Sequence, residues 1–194
     1  MPETPIKETN SDETHLMYMH QALSEARKCT HVPTAFCVGC IIVVPVASDA
    51  VNGPTSVDNA IVLATGYSRE LPGNTHAEAN ALHKARQLES LPPALAPFQN
   101  GTNQPPVAPS SISNLLAQAS IYTTLEPCSI RTSGLAPCAN AILEAGIRKC
   151  YIGAPEPLDF VTCEGAKILK EAGVEVNWVK GLEEECLSVA RGEF

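Results

Sequence analysis

Apolar residues recur at helical spacing from Leu16 to Lys28, where Leu16, Met19, Leu23 and Ala26 share one face and predict a first amphipathic helix. Residues 1–14 are polar and aperiodic and read as a loose N-terminal tail. Phe36 to Val46 is a run of buried-strand character, rich in Val and Ile and interrupted by Pro45. Ala60 to Gly66 reads as its hairpin partner across a long polar connection. Asn74 or Thr75 then offers an N-cap for a helix through about Leu91, with Ala77, Ala81, Leu82 and Ala85 on its inner face. Residues 92–114 carry six prolines among Ser, Asn and Gly, and read as a surface insertion. Beyond it, patterning predicts a strand at Ala119–Leu125, a helix at Pro137–Ala145 and a strand at Lys149–Gly153. A helix at Glu164–Ala172, a strand at Val174–Val179 and a last helix at Leu182–Ala190 follow. A hairpin followed by strand–helix alternation is the pattern of helices covering a mixed five-stranded sheet.

With 194 residues, the chain is long enough for one domain, here residues 15–194, with a core that needs no covalent staple. The net charge of −8 and the lack of any Lys/Arg run beyond two residues argue against a nucleic-acid partner. No apolar run approaches the ~20 residues of a membrane span. The first residues hold no apolar signal core, so the eight cysteines are expected to be reduced in a soluble, intracellular protein. Cys150, Cys163 and Cys186 are most simply core residues, and His15, His20, His31 and His83 have no place in the chemical pattern and read as surface or packed residues.

That pattern is His76-Ala-Glu78, then Glu126-Pro-Cys128 at a strand end, then Pro137-Cys138 opening a helix. Catalytic zinc takes three protein ligands and leaves a fourth position open, whereas structural zinc takes four. His76, Cys128 and Cys138 fit the first arrangement, with one zinc per chain and Glu78 left to move protons between water, a ring nitrogen and leaving ammonia. A structural zinc site or a few buried cysteines would need none of the Glu78 spacing. Two thiolates acidify water less than neutral imidazoles do, so a nearby base matters more.

These motifs, with Gly66-Tyr67, Pro72-Gly-Asn-Thr-His-Ala-Glu-Ala-Asn-Ala-Leu82, Tyr122-Thr-Thr-Leu-Glu-Pro-Cys-Ser129, Pro137-Cys-Ala-Asn-Ala-Ile-Leu-Glu-Ala-Gly-Ile147 and Leu169-Lys-Glu-Ala-Gly-Val-Glu-Val176, resemble the cytidine-deaminase superfamily. Within it the chain is most similar to the pyrimidine deaminases of riboflavin biosynthesis. Cytidine, tRNA-adenosine and polynucleotide editors space their cysteines as Cys-x-x-Cys, whereas nine residues separate Cys128 from Cys138, close to the interval of the riboflavin branch.

The resemblance implies a three-layer α/β/α fold, a homodimer or homotetramer, and a small phosphorylated pyrimidine as substrate. It implies Arg131 as the phosphate contact in the loop between the cysteines, with Ser129, Thr132 and Ser133 as hydroxyl donors. Arg69 is a second candidate cation, and Ala77 completes the substrate-binding set. Thr34-Ala-Phe36 replaces a Pro-Asn-Pro whose asparagine is expected on the ribose, Asn80 stands where a histidine is common, and no reductase domain follows residue 194. These departures resemble the fungal type, in which a separate reductase acts first. The expected reaction is deamination of 2,5-diamino-6-(ribitylamino)-4(3H)-pyrimidinone 5′-phosphate, or its ribosylamino precursor. The alternatives are another zinc deaminase acting on cytosine, cytidine, deoxycytidylate or tRNA adenosine, and a catalytically silent binding module.

Overall fold

The order β2-β1-β3-β4-β5 of a single sheet organises the molecule. The computed structural model describes residues 9–46, 60–88, 109–131, 134–157 and 163–194. Strands β1 (Gly39–Pro45) and β2 (Ala60–Tyr67) form the expected antiparallel hairpin, with a register shift between Ile42 and Val43. β1 also pairs antiparallel with β3 (Ser120–Leu125), and β3, β4 (Lys149–Ala154) and β5 (Glu175–Trp178) run parallel. The sheet is therefore mixed, as the sequence predicts.

Both faces are covered, which is why β1 reads as a near-continuous apolar run and why β3 is buried along its whole length despite Ser120, Thr123 and Thr124. Ile41, Val43, Tyr122 and Tyr151 point to a layer made by α1 (Thr9–Ala26) and α6 (Glu183–Ala190). Cys40, Ile42, Val44, Ile121, Cys150 and Ile152 point to the opposite layer. That layer holds α2 (Ala77–Arg86), α3 (Pro109–Gln118), α4 (Cys138–Glu144) and α5 (Gly165–Glu171). The period-two alternation along each strand thus builds two cores at once.

Helix α2 ends at Arg86 with Gln87 as its C-cap, short of the expected Leu91, and two further boundaries correct the sequence reading. Helix α1 begins at Thr9, so residues 9–14 are helical rather than a loose tail. Those first turns are polar and present no apolar stripe, and the stripe is the signal that periodicity detects. Helix α3 occupies the end of the proline-rich insertion, and Ile112, Leu115 and Leu116 are buried in the core. Pro109 suits a first helical position, and the spacing of three and four between those apolar residues is helical, although the surrounding Pro, Ser and Asn obscure it. The rest of the insertion, residues 92–108, lies outside the described residues.

Two glycines set the spacing around the site. A Cβ at Gly66 would collide with the backbone of Ala77 and Ala81, so its absence lets α2 lie directly on β2. A Cβ at Gly165 would run into the Pro127 carbonyl, so α5 can begin against the segment that carries Cys128.

Candidate metal centre and substrate cavity

His76 is the N-cap of α2, with extended backbone angles, while Glu78 lies in the first turn. The sequence reading set the cap one or two residues earlier and so placed His76 inside the helix. Cys128 leaves the carboxyl end of β3 through Glu126 and Pro127, and Cys138 opens α4 behind Pro137. The three come together: His76 Nδ1 lies 3.5 Å from the sulfur of Cys128 and 3.5 Å from that of Cys138. All three ligand atoms fall within 4.8 Å of one another, and they form the one such His/Cys/acid cluster among the described residues. Tetrahedral bonds of about 2.3 Å to sulfur and 2.0–2.1 Å to nitrogen separate such ligand atoms by roughly 3.5 Å. The donor set therefore fits zinc in both kind and spacing. The nitrogen that faces both sulfurs is Nδ1, a choice the sequence does not encode.

The electrostatics of the cluster point the same way. Hydrogen bonding from the Cys138 thiol, from His76 and from the Cys138 backbone N–H outweighs burial and pulls the Cys128 thiol down to about 4. The Cys138 thiol is pushed well up by its hydrogen bond to Cys128, by burial and by the Glu78 carboxylate. Burial and the Cys128 charge raise Glu78, against the attraction of His76. Burial opposes protonation of His76, but its hydrogen bond to Cys128 and the Glu78 charge prevail and raise it. Sulfur and carboxyl groups gathered this closely favour a divalent cation among them.

Glu78 is almost wholly buried, and its Oε1 accepts a hydrogen bond from Thr123 Oγ1 at 3.2 Å. With His76, Cys128, Glu126, Arg131 and Glu156 it lines a cavity of about 300 Å³, which Thr34, Ala35 and Phe36 also line. Arg131 stands at that cavity with Nη2 donating to the Asn74 carbonyl at 2.8 Å.

The remaining substrate candidates fare differently from one another. Ser129 Oγ accepts from the Glu164 N–H at 3.1 Å, at the start of α5, and does not line the cavity. Ala77 is fully buried against Gly66. Thr132 and Ser133 lie outside the described residues. Arg69, with φ of 61°, lines the cavity but commits its terminal nitrogens to the wall: Phe36 O at 3.1 Å, Thr30 O at 2.9 Å and Cys29 Sγ at 2.8 Å. It is a brace for that wall rather than a free cation.

Sequence reasoning gave no role to four residues that matter here. Glu126 Oε1 accepts from the Ala166 N–H at 2.8 Å and ties the Cys128 segment to α5. Asn80 Nδ2 donates to Tyr67 O and Thr75 Oγ1 at 2.8 and 3.0 Å, holding the loop before His76. Thr123 positions Glu78, and Glu156 adds a second carboxyl to the cavity. Only Glu126 carried a visible signal, through its place in Glu-Pro-Cys. His15 is likewise not a plain surface residue: its Nδ1 lies 2.8 Å from Tyr122 Oη and its ring stacks on Tyr151. The eight cysteines are all free thiols. Among the described residues, no helix is long and apolar enough to cross a membrane.

An α/β sandwich that brings a His/Cys/Cys triad and a buried glutamate to one cavity defines a class of zinc-type hydrolytic centre. The model of the cytidine and deoxycytidylate deaminase zinc-binding region matches residues 12–154, and the chain belongs to that family. The chain is 35% identical over 176 residues to the diaminohydroxyphosphoribosylamino-pyrimidine deaminase of Schizosaccharomyces pombe, covering 91% of this chain and 35% of that protein. It is 31% identical to the riboflavin biosynthesis protein RibD of Actinobacillus pleuropneumoniae over 89% of this chain and 35% of that one. The chain thus spans about a third of the length of both. Its fold matches the crystal structure of the Aspergillus oryzae Rib2 deaminase in complex with DARIPP. The TM-score there is 0.68 at 33% identity, covering 93% of this chain and 91% of that chain.

Proposed function

We propose that this protein is a zinc-dependent pyrimidine deaminase of riboflavin biosynthesis. Its substrate is a 2,5-diamino-6-(ribitylamino)-4(3H)-pyrimidinone 5′-phosphate or the ribosylamino precursor, and it releases ammonia. The observation that carries this reading is the convergence of His76 Nδ1, Cys128 Sγ and Cys138 Sγ beside the buried Glu78. Similarity to the Schizosaccharomyces and Aspergillus deaminases supports the substrate class.

His76, Cys128 and Cys138 would hold the zinc ion. Bound there, zinc supplies a Lewis acid that makes water nucleophilic near neutral pH. Glu78 takes a proton from the attacking water, passes it to a ring nitrogen, and returns a proton to the departing amine, so that C–NH₂ and H₂O become C=O and NH₃. Burial favours its protonated form, which suits a carboxyl that must both accept and give back a proton. Thr123 holds Oε1 of this carboxyl from the sheet. Arg131 meets the substrate phosphate at the cavity rim.

The protein works as a homodimer or homotetramer on a small molecule, without nucleic acid or membrane, in the intracellular compartment that its eight free thiols suit. Ammonia release by the zinc-loaded protein tests the reading, with the ribityl and ribosyl diaminopyrimidinone phosphates offered beside cytidine and deoxycytidylate. Turnover of a diaminopyrimidinone is expected, and activity confined to the cytosine compounds would overturn the substrate assignment.

A further inference from the structure

We propose that Glu156 determines ring specificity in the cavity, its carboxylate accepting a hydrogen bond from an N–H donor on the substrate ring. This inference rests on the pyrimidinone deaminase reading above and deepens it.

Glu156 follows the carboxyl end of β4 and lines the same cavity as His76, Glu78 and Cys128. Its Oε2 is buried and has no hydrogen-bond partner among the described residues. A buried acceptor left unmatched costs free energy unless a ligand supplies the donor. The local chain cannot supply it, because Glu156 lies between Pro155 and Pro157, neither of which has a backbone N–H. The two rings also fix the backbone on either side, so the carboxyl is presented from a stiff segment. Its hydrogen-bond contact is with Cys163, whose sulfur also reaches the Pro127 carbonyl at 3.3 Å. None of the ion pairs among the described residues includes Glu156. Among the described residues, the other buried side-chain polar atom without a partner is Arg69 Nε, and Arg69 lines the same cavity. Both orphaned groups therefore belong to one space, where a polar ligand would complete them.

The chemistry of the rings decides what an acceptor there selects. In a diaminopyrimidinone the reacting carbon is flanked by a lactam N–H, and the ring carries further amines. A cytosine ring flanks its reacting carbon with an unprotonated nitrogen and a C–H, and adds a carbonyl acceptor beyond. A carboxylate pairs with the first edge and is left facing acceptors or carbon by the second. Rejection through an unpaired buried polar group is the strong form of discrimination, far stronger than pocket size alone.

The test compares wild type with Glu156→Gln and Glu156→Asp, all zinc-loaded, with zinc content and thermal midpoint measured on each. Substrates are the diaminopyrimidinone phosphate, its N3-methyl analogue, its analogue lacking the 5-amino group, and cytidine. Wild type should turn over the parent and disfavour at least one of the two donor-deleted analogues tenfold or more in kcat/KM. Glu156→Gln should lose tenfold or more on the parent while that discrimination shrinks toward unity, and Glu156→Asp should move the same way. If discrimination persists in the variants, or all substrates fall equally, Glu156 does not read the ring and the inference fails with the deaminase reading intact. A wild type that acts on cytidine and not on the diaminopyrimidinone overturns both.

Discussion

Glu78 Oε1 and Thr123 Oγ1 form a buried hydrogen bond of 3.2 Å, linking the first turn of α2 to the centre of β3. The carboxylate is thereby held by the sheet itself rather than by a loop. Replacing Glu78 by Gln should leave zinc content unchanged and lower kcat by about 10²–10⁴-fold, the usual contribution of a positioned general acid–base group. Thr123→Val keeps the shape and removes the donor, so kcat should fall by roughly tenfold at unchanged zinc stoichiometry. Metal analysis beside steady-state kinetics checks both, and normal turnover in the Gln variant would remove Glu78 from the mechanism.

Metal removal should destabilise as well as inactivate. The three candidate ligands come from the start of α2, the end of β3 and the start of α4. An ion bound to all three stabilises only the folded chain. Chelation should lower the thermal midpoint by about 5 °C or more, using the ~2–4 °C per kcal/mol typical of this size. Cys138→Ser should do the same without a chelator. A midpoint indifferent to metal would argue against three-point binding.

Arg131 lines the cavity, and none of the ion pairs among the described residues includes it. Arg131→Ala should raise KM for the phosphorylated substrate about tenfold while leaving the dephosphorylated analogue within twofold, as loss of one charge-assisted contact implies. Equal effects on the two compounds would show that the guanidinium serves the loop, through Asn74, and not the phosphate.

Glu156 gives a pH signature in the metal-free protein. Burial raises its carboxyl to about 7, with Cys163 lowering it and Cys128 and Glu78 raising it, and His76 lowering it slightly. A carboxyl whose folded pKa lies above its unfolded one binds more protons when folded. Stability from this group therefore falls as pH rises from the unfolded carboxyl range toward 7. Glu156→Gln should flatten urea-unfolding free energy against pH in that window, whereas an unchanged slope would show that other groups dominate it.

At Gly165 the expected outcome is structural. Gly165→Ala drives a Cβ into the Pro127 carbonyl, so α5 must move away from the segment that bears Cys128. Stability should fall by about 1–3 kcal/mol, the range for overpacking, and zinc affinity should fall with it. Calorimetry and competitive zinc titration would separate the two effects, and unaltered zinc affinity would mean that α5 does not help seat Cys128.

The parts of this molecule legible in the sequence are those with a repeating or chemically unusual signature. Strands such as Cys40–Val44 announce themselves because burial on both faces demands unbroken apolar character. His76, Glu78, Cys128 and Cys138 are legible as a candidate site because metal and proton-transfer chemistry restricts the residue types that can serve. The start of α1 was hidden because polar helical turns leave no stripe, and α3 because Ile112, Leu115 and Leu116 sit inside a proline- and serine-rich context. Arg69 looked like a free cation in a loop; only tertiary contacts with Thr30, Phe36 and Cys29 reveal it as a brace. Glu156 was invisible for a different reason. A glutamate between two prolines reads as an exposed turn until the cavity wall is seen around it.

The nine residues between Cys128 and Cys138 carry Arg131, and each end of that span is itself a member of the candidate ligand set. With an ion in place, the span is a closed ring rather than a strand with two independent anchors, and ring closure removes conformational entropy before any substrate arrives. Metal occupancy and the reach of Arg131 then become one thermodynamic variable: phosphate binding should tighten the hold on the ion, and loss of the ion should slacken the grip on phosphate.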